Sequence, residues 1–159
     1  MNKELQYIIT TLQNTLDGEP WYGRPVIQLL QEADPAVVYE KPAKNPHSPA
    51  DLLYHMITWA EFTLMRLQGD KEKDDAWFDK IDWRPIDPAV HTWKEGIEQF
   101  RHLNQQIIAL LQTKDDSLLQ EKVDFREYNV RFLLHGYIQH NIYHAGQIVY
   151  ALKSLVKAK

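Results

Sequence analysis

The chain contains no cysteine, which excludes disulfides, a thiolate nucleophile of its own and sulfur-ligated zinc, and leaves any metal to histidine, carboxylate and water. It also lacks an apolar run long enough to span a bilayer, since a crossing helix needs about 20 such residues. Met1 to Leu16 alternates apolar with polar residues and has no continuous hydrophobic stretch, so no signal peptide is read there and the cytoplasm is the expected location. Charge of one sign is not concentrated anywhere. With 18 Lys and Arg against 22 Asp and Glu, a net charge of -4 and no basic cluster, neither nucleic acid nor an anionic membrane is an expected partner. Glycine is scarce, and none of the six builds a phosphate-cradling loop. The His-Glu-x-x-His arrangement, in which a helical glutamate is the general base of a metalloprotease, is absent too.

What remains is a chain of 159 residues, 44% apolar and 25% charged, which is enough for one globular domain, residues 1–159, with a sizeable core. Leu5, Ile8, Ile9, Leu12 and Leu16 mark one stripe of a helix that Gly18 and Pro20 end. After a Trp21-Tyr22-Gly23 turn, Pro25 opens a shorter helix through Val26, Leu29 and Leu30. Four prolines, at 35, 42, 46 and 49, make the next stretch irregular. Ser48 as N-cap, Pro49 at the first helical position and Asp51 three residues after the serine then open a long helix that Gly69 stops. Asp70 to Asp87, carrying Trp77, Phe78 and Trp83, reads as a connection long enough to cross the fold or lid a site. Asp87-Pro88 is expected to open a third long helix with Val90, Trp93, Ile97, Phe100, Ile107 and Leu111 on its apolar side; Ser117 with Gln120 caps a short turn. The last helix runs from about Tyr128 to about Lys153. Four long helices and no convincing strand predict an all-α four-helix bundle with additional short helices and long connections.

Two histidines stand four apart on the last helix, His140 and His144, and one turn of helix brings both imidazoles to the same face. Leu133, Tyr137, Gln147 and Ala151 share that face, so the pair points inward. An i, i+4 histidine pair alone is more often helix surface than a ligand set. His55, however, is flanked at one-turn spacing by Leu52, Met56 and Trp59 and points inward on its own helix. Three inward histidines on two helices are what a three-nitrogen metal site needs. Asp51, one turn before His55, is read as a cap residue in preference to a group that orients the imidazole. Gln147 either hydrogen-bonds a ligand histidine or caps backbone, and the sequence does not choose. A glycine at 146 inside a helix is expected to serve close packing beside the metal. His47, His91, His102 and His135 are read as surface or helix-end residues, and the five tryptophans as core or lid.

The stretch His140-Asn-Ile-Tyr-His144-Ala-Gly146-Gln147-Ile148 closely resembles the H-x-x-x-H-x-G-Q-I signature of the DinB-like (YfiT-like) bundle proteins. His55, within Leu52-Leu53-Tyr54-His55-Met56-Ile57-Thr58-Trp59, matches that family's first metal histidine, and the resemblance covers nearly the whole chain, including the Trp21 turn and the Asp124-to-Val149 approach. It implies a divalent ion, usually zinc or nickel, on His55, His140 and His144 in a four-helix bundle that is often a homodimer. Some members of the family transfer low-molecular-weight thiols such as bacillithiol, or isomerise mycothiol adducts.

Two functions follow as expectations. One is a metal-dependent enzyme of the thiol S-transferase or hydrolase type acting on a small-molecule substrate, in which the ion keeps an open position. The other is a non-catalytic stress-response protein whose ion is structural or sensing. A fourth protein ligand would mark the second, because structural zinc is usually closed by protein; the sequence offers no clear one.

Overall fold

Helical periodicity decides the architecture, and the computed structural model, which describes residues 3–43 and 45–157, is helical throughout its regular structure. The elements are α1 (Lys3–Asp17), α2 (Val26–Gln31), α3 (Pro49–Gln68), α4 (Asp75–Ile81), α5 (Trp93–Gln112), a 3-10 turn (Asp116–Gln120) and α6 (Val130–Lys157). Among the described residues there is no strand, only an isolated antiparallel bridge between Lys122 and Asn129. None of the described helices is long and apolar enough to cross a membrane.

The four long helices form a square in which α3 packs against α5 and α6, and α1 against the same two, so that α1 and α3 face each other across a diagonal. The stripe Leu5, Ile8, Ile9, Leu12 and Leu16 is buried, as is nearly every apolar side chain of α3. Each fully buried Leu, Ile or Phe contributes about 1.5–3 kcal/mol relative to exposure. Phe62, Phe78, Phe100, Leu5, Ile8 and Leu12 are of this kind, and they form part of one apolar core shared by the helices.

The start of α3 follows the sequence closely. Ser48 Oγ accepts from the Asp51 amide at 3.1 Å, and the Ser48 amide donates to Asp51 Oδ2 at 2.8 Å, a reciprocal capping box that satisfies two otherwise orphaned donors. Gly69 closes the helix with φ of +69°, the left-handed conformation that glycine adopts at least cost. Pro25 stands at the N-cap of α2, as its fixed φ favours.

Four expectations are corrected. The 70–87 connection contains α4, capped by Asp74, whose side chain accepts from the Trp77 amide. The third long helix opens at Trp93 rather than at Asp87-Pro88, because Asp87 spends its side chain and carbonyl on a local turn, accepting from the amides of Ala89, Val90 and His91. Thr92 caps the helix instead, and Val90 is left exposed. Asp115, not Ser117, caps the 3-10 turn, and α6 begins two residues later than expected, where Asn129 Oδ1 accepts from the Phe132 amide at 3.1 Å.

Two tryptophans show how differently one residue type can be used. Trp93 is buried and its indole N–H donates to the Leu30 carbonyl at 3.1 Å, tying α5 to α2. Trp21 stands fully exposed on its turn, neither core nor lid. A similar contrast separates the glycines. A Cβ on Gly96 would meet Leu53 Cδ2 at 3.0 Å and Tyr54 Cε2 at 3.1 Å, so glycine there permits the close approach of α5 to α3. Gly146 is exposed and a Cβ would meet nothing within 4 Å, so the packing role expected of it is not found. Gly136, in the same helix, is equally free of neighbours. Each costs α6 about 1 kcal/mol relative to alanine.

Candidate metal centre

Packing of α3 on α6 brings three imidazoles to one point. His55 Nε2 lies 2.9 Å from His140 Nε2 and 3.0 Å from His144 Nε2. His55 and His144 are buried and His140 is partly so. The three form a cluster whose nitrogens all lie within 4.8 Å of one another and could hold a metal ion.

The far side of each ring decides what the near side can do. His55 Nδ1 is 2.6 Å from Asp82 Oδ1, an approach too bent for a linear hydrogen bond but close enough that the ring proton belongs on Nδ1, facing the carboxylate. The indole N–H of Trp59 donates to the same oxygen at 2.9 Å and fixes its position. His144 Nδ1 lies 2.6 Å from Gln147 Oε1, again an acceptor. With each of these two ring protons on Nδ1, as in a metal-bound imidazole, the Nε2 lone pairs of His55 and His144 face each other at 3.0 Å. Such a pair repels unless a cation lies between them. Burial is the main cause that lowers the His144 pKa to about 4 and that of His140 to about 3, so a proton on either of these two rings is disfavoured. A divalent ion bound by neutral imidazoles fits the donor set, and ring N–H groups directed at a carboxylate and an amide oxygen are the usual support for such ligands. His140 Nδ1 has no hydrogen-bond partner among the described residues; its ring is held by aromatic neighbours, His55 at 4.9 Å, His144 at 4.3 Å and Trp59 at 6.1 Å between centroids.

The loop after α4 seals one side of the cluster. Trp83 stacks flat on His55 at 4.0 Å, and His47 stacks on the outer face of Trp83 at 3.8 Å. Arg84 donates to Thr58 Oγ1 at 2.7 Å. Three consecutive residues, Asp82, Trp83 and Arg84, thus grip α3 around its histidine. The long connection does lid the site, as its length and tryptophans implied. The identity of Asp82 as the orienting carboxylate had no signal in sequence spacing, and His47 is not the plain surface residue expected. Asp51 is occupied by its cap, Gln147 serves a candidate ligand histidine, and His102 and His135 are exposed. His91 accepts from the Asp87 amide through Nδ1 in the loop before α5.

On the open side, His55 and His140 border a cleft of about 320 Å³ whose walls include Trp59, Phe62, Phe132 and Tyr137. The cluster therefore meets a space the size of a small molecule.

A family model for the DinB superfamily matches residues 24–148, a span that includes all three histidines. No curated protein matches the chain.

Two outcomes are expected. Asp82→Ala should weaken zinc binding by roughly 10–100-fold, the usual cost of losing such a support. Asp51→Ala should leave zinc affinity unchanged and cost about 1 kcal/mol of stability in urea denaturation. Equal zinc affinities for the two variants in a chelator competition would contradict these roles. The second outcome concerns pH. Because His140 and His144 titrate lower when folded than the ordinary 6.5, the unfolded chain takes up more protons below that value. The metal-free protein should lose stability as pH falls from about 6.5 toward 4. Melts in chelator should show a steeper loss for wild type than for a His140→Leu/His144→Leu double variant; parallel curves would show that the histidines do not titrate as described.

Proposed function

The chain belongs to the DinB superfamily, and on that membership and the three-histidine cluster we propose that it is a metal-dependent enzyme, with zinc or nickel held by His55, His140 and His144, that transfers a low-molecular-weight thiol or catalyses a related hydrolysis. The observation that carries this reading is the position of the cluster at the end of a cleft. Among the described residues the group of potential ligands has three members, and two of them, His55 and His140, line the open space. Catalytic sites keep such a coordination position free, whereas structural ions are closed by protein.

The division of labour among the residues follows from their contacts. His55, His140 and His144 hold the ion through Nε2. Asp82 and Gln147 fix ring orientation, and Trp83 excludes water from the face of His55. When bound, a divalent ion supplies a Lewis acid that keeps a thiol in its thiolate form or lowers the pKa of water. With no cysteine in the chain, the reacting sulfur comes from a cosubstrate. Asp82, the carboxylate at the cleft, is engaged by Trp59 and His55 and is poorly placed to act as a general base, which favours thiol transfer over hydrolysis. The same reading takes the protein to be a cytoplasmic homodimer.

Metal analysis of protein purified without an affinity tag should give about one zinc or nickel per chain. With the metal bound, conjugation of a low-molecular-weight thiol to monochlorobimane should be accelerated, tested with both neutral and anionic thiols. His140→Ala should lose most of the metal and the activity while keeping its far-UV circular dichroism, since the apolar core carries the helices. Rates equal to buffer for wild type across several thiols would remove the enzymatic reading. Collapse of helicity in the variant would give the ion a structural role.

A further inference from the structure

Gly136 lies inside α6, in its second turn, where glycine weakens a helix, and no neighbour needs its missing side chain: a Cβ built there meets nothing within 4 Å. What the missing side chain leaves open is part of the cleft that His140 also lines. The walls around this opening are Trp59, Phe62, Tyr128, Phe132, Leu133 and Tyr137. Their polar atoms are largely spent elsewhere. The Trp59 indole N–H donates to Asp82, the Thr63 hydroxyl to the Trp59 carbonyl at 2.8 Å, and the Tyr137 hydroxyl to Asn104 Oδ1 at 2.7 Å. No lysine or arginine is part of the lining, and its one carboxylate is Asp82. Away from the histidines, a carboxylate, sulfonate or phosphate entering this space would lose water and meet no cationic side chain, and burying an unpaired anion is costly. A flat apolar group would stack on the rings; Tyr128 and Phe132, 4.9 Å apart between centroids, already form a tilted pair at the rim.

From this geometry we infer that the cleft is the binding site for an uncharged aromatic ligand, entering past Phe132 and seated over Gly136, with at most one donor atom directed to the histidines. The preference of the cleft stands on its walls alone; only the placing of the donor atom at the histidines rests on the proposed metal. The substrate class is thereby narrowed to neutral aryl or arylalkyl compounds, with polyanionic thiols disfavoured as occupants of this cleft.

The neutral fluorophore N-phenyl-1-naphthylamine tests this on the full chain. Its fluorescence should rise on mixing with the wild-type protein, with or without zinc. Benzyl mercaptan should displace it from the zinc-loaded protein at a concentration about tenfold or more below that required of mercaptosuccinate, since tenfold is the least that one unpaired buried charge should cost. Gly136→Leu should bind the probe at least about tenfold more weakly, with a melting temperature no lower than wild type because a helix-favouring residue replaces glycine in open space. Gly136→Ala, a smaller intrusion, should fall between. Absence of probe binding, equal displacement by the two thiols, or wild-type binding by a folded Gly136→Leu protein would overturn the assignment. Displacement by benzyl mercaptan that is the same with and without zinc would support the cleft's preference while counting against the metal centre.

Discussion

Two imidazole nitrogens held 3.0 Å apart inside a helical bundle are a constraint that the rest of this site is arranged around. Asp82 behind His55 and Gln147 behind His144 offer acceptors to the ring protons on the outside, and burial discourages protonation of His140 and His144. The protein thereby maintains a concentrated patch of electron-pair donors that could hold a metal ion. Its core makes this tolerable, since many fully buried aliphatic and aromatic side chains on four helices outweigh one strained polar cluster.

The elements around the cluster divide into a rigid and an adaptable part. α3 and α6 supply the three histidines from helix interiors, where backbone geometry is fixed to both sides. The sequence after α4 supplies the outer wall through side chains alone: Asp82 to His55 and Trp59, Trp83 stacked between His47 and His55, Arg84 to Thr58. A short loop carrying three such contacts covers one face of His55, while the cleft lined by Gly136 stays open. That asymmetry separates a place where water is excluded from a place where a ligand can enter.

Much of this was legible in the residues themselves. Periodicity located α1, α3 and α6 because their apolar stripes are long, and Ser48-Pro49 with Asp51 located the start of α3 because capping is a local interaction read within four residues. The three histidines could be paired because helical spacing puts His140 and His144 on one face and His55 on an inward one. Less was legible where local chemistry competes. Asp87-Pro88 has the composition of a helix start, yet the aspartate closed a turn onto Ala89 and His91 instead. Asp82 was not legible at all, since its partners lie 23 and 27 positions away on α3 and only the folded chain brings them together. Gly136 passed unnoticed for the opposite reason: its significance is an empty volume, which no residue pattern encodes.

The central claim is that the three Nε2 atoms share one ion. X-ray absorption at the metal edge of the zinc-loaded wild-type protein tests it most directly. The account predicts three imidazole nitrogens at about 2.0–2.1 Å with the remaining coordination from light, exchangeable ligands. It also predicts loss of one imidazole from that shell in His55→Ala. A shell with fewer than three imidazoles in wild type, or one unchanged by removing His55, would contradict it.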